Sequence, residues 1–477
     1  MPLMARFVTL ALSACSLPIA TLSAQAPFGS TRHLAVPPFL AGYNVCCGDV
    51  DGDGDVDLIA GNDHADNQLL LNDGRGLFVD ATAGRLTTPA PQGNNPFGNA
   101  TYAVDLADID GDGDLDLLLV NDHNLPNRVH VNNGAGVFVD VSSVALPPNG
   151  DWSVDQVVAD FDGDGDVDWF VQNAGSPRLY LNNGAGVFAD VSLTNLPTNV
   201  NTLSTWMTGC SAFDLEGDGD LDLLVPVNIG TTVVLVNQGN AVFAPAPVGM
   251  LPASTGWAYA ADFDRDGLVD VFLTNGTRYH RNLGNLTFAP AVALPAATSF
   301  ALDFDEDGDV DLLAPRRILE NDGTGALTLR QGISGLQFQS DIFCVADFDG
   351  DGDRDIASPS WITANLLRQI DTELPPTIGQ TYTIDHHCPT DSPLVVLITG
   401  VSLASAQIPV AGLGTLRLDP TQAATLPPRF VTGGFAQTSF TVPNSPGLIG
   451  LELDYQSLVV DSLRPAVLGN AIRDFVQ

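Results

Sequence analysis

Acidic side chains recur in one nine-residue pattern with fixed internal spacing. Its cleanest copy is Asp108-Ile109-Asp110-Gly111-Asp112-Gly113-Asp114-Leu115-Asp116, and six more copies begin at Asp49, Asp160, Asp214, Asp262, Asp303 and Asp347. Positions 1, 3, 5 and 9 are acidic in every copy, and position 6 is always Gly, as at Gly54, Gly113 and Gly165. Four carboxylates crowded together repel one another by about 3 kcal/mol per pair at ~5 Å and an effective dielectric of ~20. A cation relieves that repulsion. An all-oxygen cage suits Ca²⁺, which accepts roughly six to eight oxygens in flexible geometry. Alternate residues point inward, and the Gly permits the sharp turn that carries the carbonyl of position 7 onto the ion.

The competing reading is a generally acidic, solvated surface. The seven windows hold 35 of the 57 acidic residues and two of the 18 basic ones, Arg265 and Arg354, so they carry −33 of the net −39. The charge is local, which favours ion binding. An EF-hand is excluded by the flanks. It needs a Glu at position 12 and helices on both sides, whereas position 12 here is Ala60, Leu119 or Val171 and the residues after the loop are Leu117-Leu118-Leu119-Val120 or Val271-Phe272-Leu273. Short apolar runs of this kind read as buried strands.

A DxDGDGDxD loop joining two strands, repeated about every 50 residues over roughly 27–370, resembles the FG-GAP/VCBS repeat of integrin-α-type β-propellers. The resemblance implies metal-facing positions 1, 3, 5, 7 and 9. In the first three loops these are Asp49, Asp51, Asp53, Asp55 and Asp57; Asp108, Asp110, Asp112, Asp114 and Asp116; and Asp160, Asp162, Asp164, Asp166 and Asp168. The fourth has Asp214, Glu216, Asp218, Asp220 and Asp222, a substitution at position 3 that keeps the charge. The fifth has Asp262, Asp264, Asp266, Leu268 and Asp270, and Leu268 fits a position that offers only its backbone oxygen. The last two have Asp303, Asp305, Asp307, Asp309 and Asp311, then Asp347, Asp349, Asp351, Asp353 and Asp355. Up to seven Ca²⁺ ions are expected, in a structural role.

Each repeat reads strand, acid loop, strand, strand, tight turn, strand. In the second these are Tyr102–Leu106, Leu115–Val120, Arg128–Val131 and Val137–Val141, with the turn Asn132-Asn133-Gly134. Asn-x-Gly recurs at Asn72, Asn182, Asn237, Asn282 and Asn321, and such residues suit the positive φ of hairpin turns. Four strands at this period, seven times over, predict an all-β chain with a seven-bladed β-propeller at 27–372. The seventh repeat keeps Ile356–Ser358 and Leu366–Ile370 but lacks the turn. Phe138, Phe188 and Phe243 are each followed nine residues later by Pro, and so is Phe28, so residues 28–36 are expected to supply the missing strand and close the ring.

Beyond Leu374-Pro375-Pro376 the acid pattern stops. Ile378–Ile384, Leu394–Thr399, Thr415–Leu418, Thr438–Val442 and Leu448–Leu453 read as strands of a small β-sandwich at 377–477. His386-His387-Cys388 has no further ligand at a telling spacing. Residues 1–26 have Arg6, the apolar run Phe7–Leu22 and Ala24-Gln25-Ala26, the pattern of a secretory signal peptide cut after Ala24 or Ala26. Leu12-Ser13-Ala14-Cys15 offers a rival, lipoprotein anchoring through Cys15. No later stretch is apolar enough to span a membrane. Cys46, Cys47, Cys210 and Cys344 lie just before loops; they read as small buried fillers, with a bridge from Cys46 or Cys47 to Cys210 or Cys344 as the alternative.

Nucleophile elbows and phosphate-cradling loops with Lys are absent, and the acidic balance opposes nucleic acid binding. Asp63-His64 and Asp122-His123 recur after the first two loops and read as loop polarity. Trp152 and Trp206 stand eight residues before their loops, and Trp257, Tyr102 and Tyr43 five or six before theirs. Aromatics at matching places could stack sugars or anchor a protein on the face away from the acid loops. The expectation is a secreted calcium-binding protein that binds a protein or glycan at the cell surface or in the matrix. The alternative is a carbohydrate-active enzyme of the polysaccharide lyase type, since some such enzymes use calcium-bearing propellers.

Overall fold

A computed structural model describes residues 42–62, 65–74, 76–86, 100–198, 202–203, 209–225, 232–247, 250–251, 258–273, 278–294, 300–303, 308–314, 317–331, 344–349, 354–358, 361–363 and 370–371, and further on the strands between Thr381 and Phe475. Among the described residues the chain is all-β apart from single helical turns at Ser142–Ala145 and Ser192–Asn195. Small antiparallel sheets follow one another along the repeats, most of them four-stranded and strung in sequence order, as propeller blades are.

The second sheet shows the logic. Thr101–Ala107, Asp116–Asn121, Arg128–Val131 and Val139–Asp140 pair in that order, with Leu118 opposite both Asp105 and Val129. The acid loop joins the first two strands and the Asn-x-Gly turn joins the last two. Asp116–Asn121 is buried at every residue. A strand covered on both faces has no need of polar alternation, and the two faces serve different neighbours. Leu117 and Leu119 pack with Ile59 and Leu69 of the first sheet, while Leu118 and Val120 pack with Trp169, Val171 and Tyr180 of the third. The first strands of successive sheets lie against one another.

One recurring hydrogen bond helps link each of the second to sixth sheets to the one before it. The turn amide of Asn132 donates to the carbonyl of Val50, position 2 of the first loop, at 2.8 Å. The same contact joins Asn182 to Ile109, Asn237 to Phe161, Asn282 to Leu215 and Asn321 to Phe263, each at 2.8 Å. Position 2 is apolar throughout, and these side chains are buried to within 1%. They plug into the core of the following sheet, where Val50 meets Phe138 and Ile109 meets Phe188.

The series returns to its start. Asn72 of the first sheet donates to the carbonyl of Phe348 in the seventh loop at 2.8 Å, and Phe78 packs edge-on against Phe348 at 5.9 Å. Gly42–Gly48 lies against Cys344–Ala346. The first and last of the repeat sheets are therefore in direct contact. Residues 28–36, expected to close the ring as a strand, lie outside the described residues.

Two placements differ from the sequence reading. The third strand of the last repeat sheet is Trp361–Thr363, and Ile370, the end of the strand Leu366–Ile370 expected within that sheet, instead joins Asp371 in pairing with Thr381–His387 further on. The third sheet also gains Thr202–Leu203 against Ala174 and Gly175. In the C-terminal part, Thr381–His387 pairs with Phe435–Thr441, and Leu394–Gly400 lies between Glu452–Val460 and the short strands Ala424–Thr425 and Arg429–Phe430. Leu403–Val410 and Val467–Phe475 are further strands, absent from the sequence reading.

Replacing Asn132 by Ala removes its side-chain hydrogen bonds to the Val50 carbonyl, which keeps the Gly136 N–H at 2.8 Å, and to the Leu115 carbonyl. Two hydrogen bonds lost at about 0.5–1.5 kcal/mol each come to about 1–3 kcal/mol. Urea unfolding of Asn132→Ala should show a loss in that range, whereas Asn133→Ala, whose exposed Oδ1 accepts only Ala135 and Val137 N–H within its own turn at 3.1 and 3.3 Å, should lose less.

Candidate metal centres

The second loop is shaped by its own amides. Asp108 at position 1 accepts from Gly111 N–H at 2.8 Å and Gly113 N–H at 3.0 Å, one on each carboxylate oxygen. Both glycines sit at positive φ, +77° and +94°, where a side chain would be strained. Asp112 at position 5 accepts from Asp114 N–H at 2.9 Å. Asp116 at position 9 is fully buried; one oxygen takes Ile109 N–H at 3.1 Å and the other Asn132 N–H at 2.8 Å. Position 9 thus ties loop, strand and hairpin turn together.

Position 3 is different. Oδ1 of Asp110 is buried and receives no hydrogen bond, as does Oδ1 of Asp51 in the first loop. A buried carboxylate oxygen without a donor calls for a cation. Oxygens of Asp108, Asp110 and Asp116 lie within 4.8 Å of one another, as do those of Asp160, Asp162 and Asp168, and of Asp347, Asp349 and Asp355. In the first and fifth loops the close set is positions 1, 3 and 5: Asp49, Asp51 and Asp53, and Asp262, Asp264 and Asp266. The all-carboxylate sets of the first, second, third and seventh loops fit a hard divalent ion, whereas in the fifth loop Arg281 also reaches Asp264 and Asp266. Among the described residues of the fourth loop, where Glu216 replaces Asp, no such triad forms. Asp305, Asp307, Asp351 and Asp353 lie outside the described residues.

Electrostatics point the same way. Burial, and after it the neighbouring carboxylates, raise the pKa of Asp110, Asp162 and Glu216 at position 3. At position 9 burial pushes Asp57 up to about 7 and Asp116, Asp168, Asp222 and Asp270 up to about 6, against the pull of their amide donors. Carboxyls held this high are short of positive charge.

The side chain of position 7 takes no part in the cluster. A Cβ on the turn glycine Gly134 would meet the Asp114 carboxylate at 2.5 Å, and Gly184 would meet Asp166 at 2.4 Å, so these acids lie against their own hairpin turns. Elemental analysis after dialysis should therefore find one divalent ion fewer in Asp110→Ala and none fewer in Asp114→Ala.

The inner strands carry other titratable groups. Cys46, Cys47, Cys210 and Cys344 are all free thiols, so none of the bridges considered from sequence is present among them. Asp155 is buried and accepts the Cys210 N–H at 2.6 Å. Burial pushes Asp155 up to about 7; burial, then the charge of Asp155, pushes Asp105 on the adjacent strand up to about 8. Both titrate higher in the folded than in the unfolded chain. The stability this contributes is complete below the unfolded value of 3.8 and is lost as pH rises through about 7 and 8. Asp155→Asn, which keeps an acceptor for Cys210, should flatten the decline in urea stability between pH 5 and pH 8.

At the opposite end of the strand that leads into the third loop, Trp152 is 39% exposed and stacks on His123 at 5.6 Å. His123 sits at φ +58° beside the buried carboxylate of Asp122, 3.2 Å from its Nδ1. Next to Trp152, Asp151 pairs with Arg178, which also reaches Asp190 at 2.6 Å. Tyr102, grouped with the tryptophans from sequence, is buried and packs inside. Trp206, Trp257, Asp63, His64 and Cys388 lie outside the described residues, as do the side chains of Tyr43, His386 and His387. No helix among the described residues is long and apolar enough to cross a membrane.

Comparison with known proteins finds FG-GAP-like repeats at residues 49–119, 108–171 and 160–225, each match running from one acid loop through the next. Among curated proteins none matches. Similar solved structures include an Agrocybe aegerita lectin with specific recognition of non-reducing terminal N-acetylglucosamine, 21% identical over 68% of this chain and 87% of that one, TM-score 0.48. BBS1N in complex with ARL6DN is 12% identical over 68% and 93%, TM-score 0.45. The V. cholerae biofilm matrix protein Bap1 is 13% identical over 95% and 70%, TM-score 0.25. These likenesses are too remote to carry an argument.

Proposed function

We propose, on the premise that this is a chain of the FG-GAP-type repeat family, that it is a secreted seven-bladed propeller whose loops hold Ca²⁺ and whose other end binds a glycan or protein. The ions are structural. Each is surrounded by carboxylates already committed to the loop's own amides, which leaves a cage suited to holding a cation rather than turning over a substrate. Calcium at ~10⁻⁴–10⁻³ M, the range of extracellular modules, matches an exported protein and the apolar leader at residues 7–22. The C-terminal strands form a separate β-sandwich in this reading.

The observation that carries the binding role is Trp152. Its strand, Ser153–Ala159, runs directly into Asp160, so tryptophan and ion cluster stand roughly 23 Å apart at the two ends of seven residues. An exposed indole stacked on an imidazole, with the Asp151–Arg178 pair alongside, presents an apolar plane edged by fixed donors and acceptors. A pyranose ring, apolar on one face and ringed by hydroxyls, matches that combination, as does an aromatic anchor from a protein. Binding without product release separates this role from that of a polysaccharide lyase.

A glycan array probed with the calcium-loaded full chain tests this. Trp152→Ala should weaken the bound signal at least tenfold while leaving the melting temperature within a degree or so, because the ring is exposed. Unchanged affinity would remove Trp152 from the site, and release of unsaturated sugar fragments would favour the lyase.

A further inference from the structure

The fifth loop departs from the other six in three places. Position 7 is Leu268 where every other copy has Asp. Position 4 is Arg265, held at φ +56° in the left-handed region where Gly52, Gly111, Gly163 and Gly217 stand in other loops at +75° to +77°. The residue before the turn asparagine is Arg281, where the corresponding residues are Leu71, Val131, Leu181, Val236 and Glu320.

Arg281 turns back into its own loop. Its Nε pairs with Oδ2 of Asp264, position 3, and its Nη2 with Oδ2 of Asp266, position 5, at 3.0 Å. In the first two loops one oxygen of the position-3 acid, on Asp51 and Asp110, has no donor; here the position-3 carboxylate is taken by a guanidinium. Arg265 adds a second cation inside the window and reaches Asp309 of the sixth loop at 2.5 Å. The window therefore carries four acids and one arginine, a net −3 against −5 in the second loop, and Arg281 brings it to −2.

The remaining architecture of the loop is intact. Gly267 N–H donates to Asp262 at 2.9 Å, and Asn282 donates to Asp270 at 2.7 Å and to Leu215 at 2.8 Å. Contact with the preceding sheet is thus kept while the ligand set is neutralised from within. A guanidinium offers five donors in a fixed fork, enough to satisfy two carboxylates that an ion would otherwise share.

We infer that the fifth loop carries its own counter-cation, the Arg281 guanidinium, and takes up no Ca²⁺ while the second loop does. This rests on the calcium reading above. Bound Ca²⁺ per full-length chain, counted by equilibrium dialysis and elemental analysis, tests it in four proteins. Asp110→Ala should hold one ion fewer than wild type, Asp264→Asn the same number, and Arg281→Leu one more. In chelator the Arg281→Leu melting temperature should fall below wild type and recover when Ca²⁺ is restored. An ion lost in Asp264→Asn overturns the inference alone, and does so even if Arg281→Leu fails to fold. No bound ions in wild type overturn the calcium reading and this inference with it.

Discussion

A single buried carboxylate in each of the first four repeats holds three pieces of chain together. Asp116 accepts one amide from the start of its loop and one from the hairpin turn sixteen residues on, and Asp57, Asp168 and Asp222 do the same in their repeats. The turn so fixed presents its asparagine to the preceding loop. A charge is thus buried at each joint between sheets, and burying a charge is costly unless it is paired. Two amide donors offset part of that cost. The pKa of these acids stays near 6 or 7 even so, which leaves room for a positive charge nearby.

The acid loops are consequently not ornaments on a finished fold. Position 2 of the first five loops and of the seventh sends its side chain into the next sheet's core and its carbonyl to the next sheet's turn. Whatever sets the conformation of one loop also sets the seat of its neighbour. A cation drawn to positions 1, 3, 5 and 9 stiffens the loop that makes both contacts. The contact between Asn72 and Phe348 extends this dependence across the two ends of the repeat array.

Much of this was legible in sequence because charge and turn chemistry leave a periodic mark. The spacing of the acids, the glycine at position 6 and the recurring Asn-x-Gly gave the loops, the hairpins and the strand order of each sheet. The apolar residue at position 2 was equally regular, yet Val50 or Phe161 in an acidic string looks like filler until the neighbouring sheet is seen. The hydrogen-bond role of position 9 was hidden for a related reason, since its second partner lies in the turn. The exposure of Trp152 and the burial of Tyr102 could not be told apart, because both precede an inner strand and only packing separates them. Strands such as Leu403–Val410 were missed where Ala, Gln and Pro blur the alternation.

The two ends of the sheets are under different constraints, and this bears on where binding can evolve. At the acid-loop end each residue answers to several partners at once: Asp116 to two amides, Asn132 to Val50 and Leu115, Ile109 to the core of the third sheet. Almost any substitution there disturbs a neighbouring sheet. At the other end, Trp152 and Asp151 precede the strand, are partly exposed, and touch His123 and Arg178 without entering a core. A surface can vary there from repeat to repeat while the fold holds. Recognition of a ligand is therefore expected where the chain is free to differ, and ion binding where it must repeat.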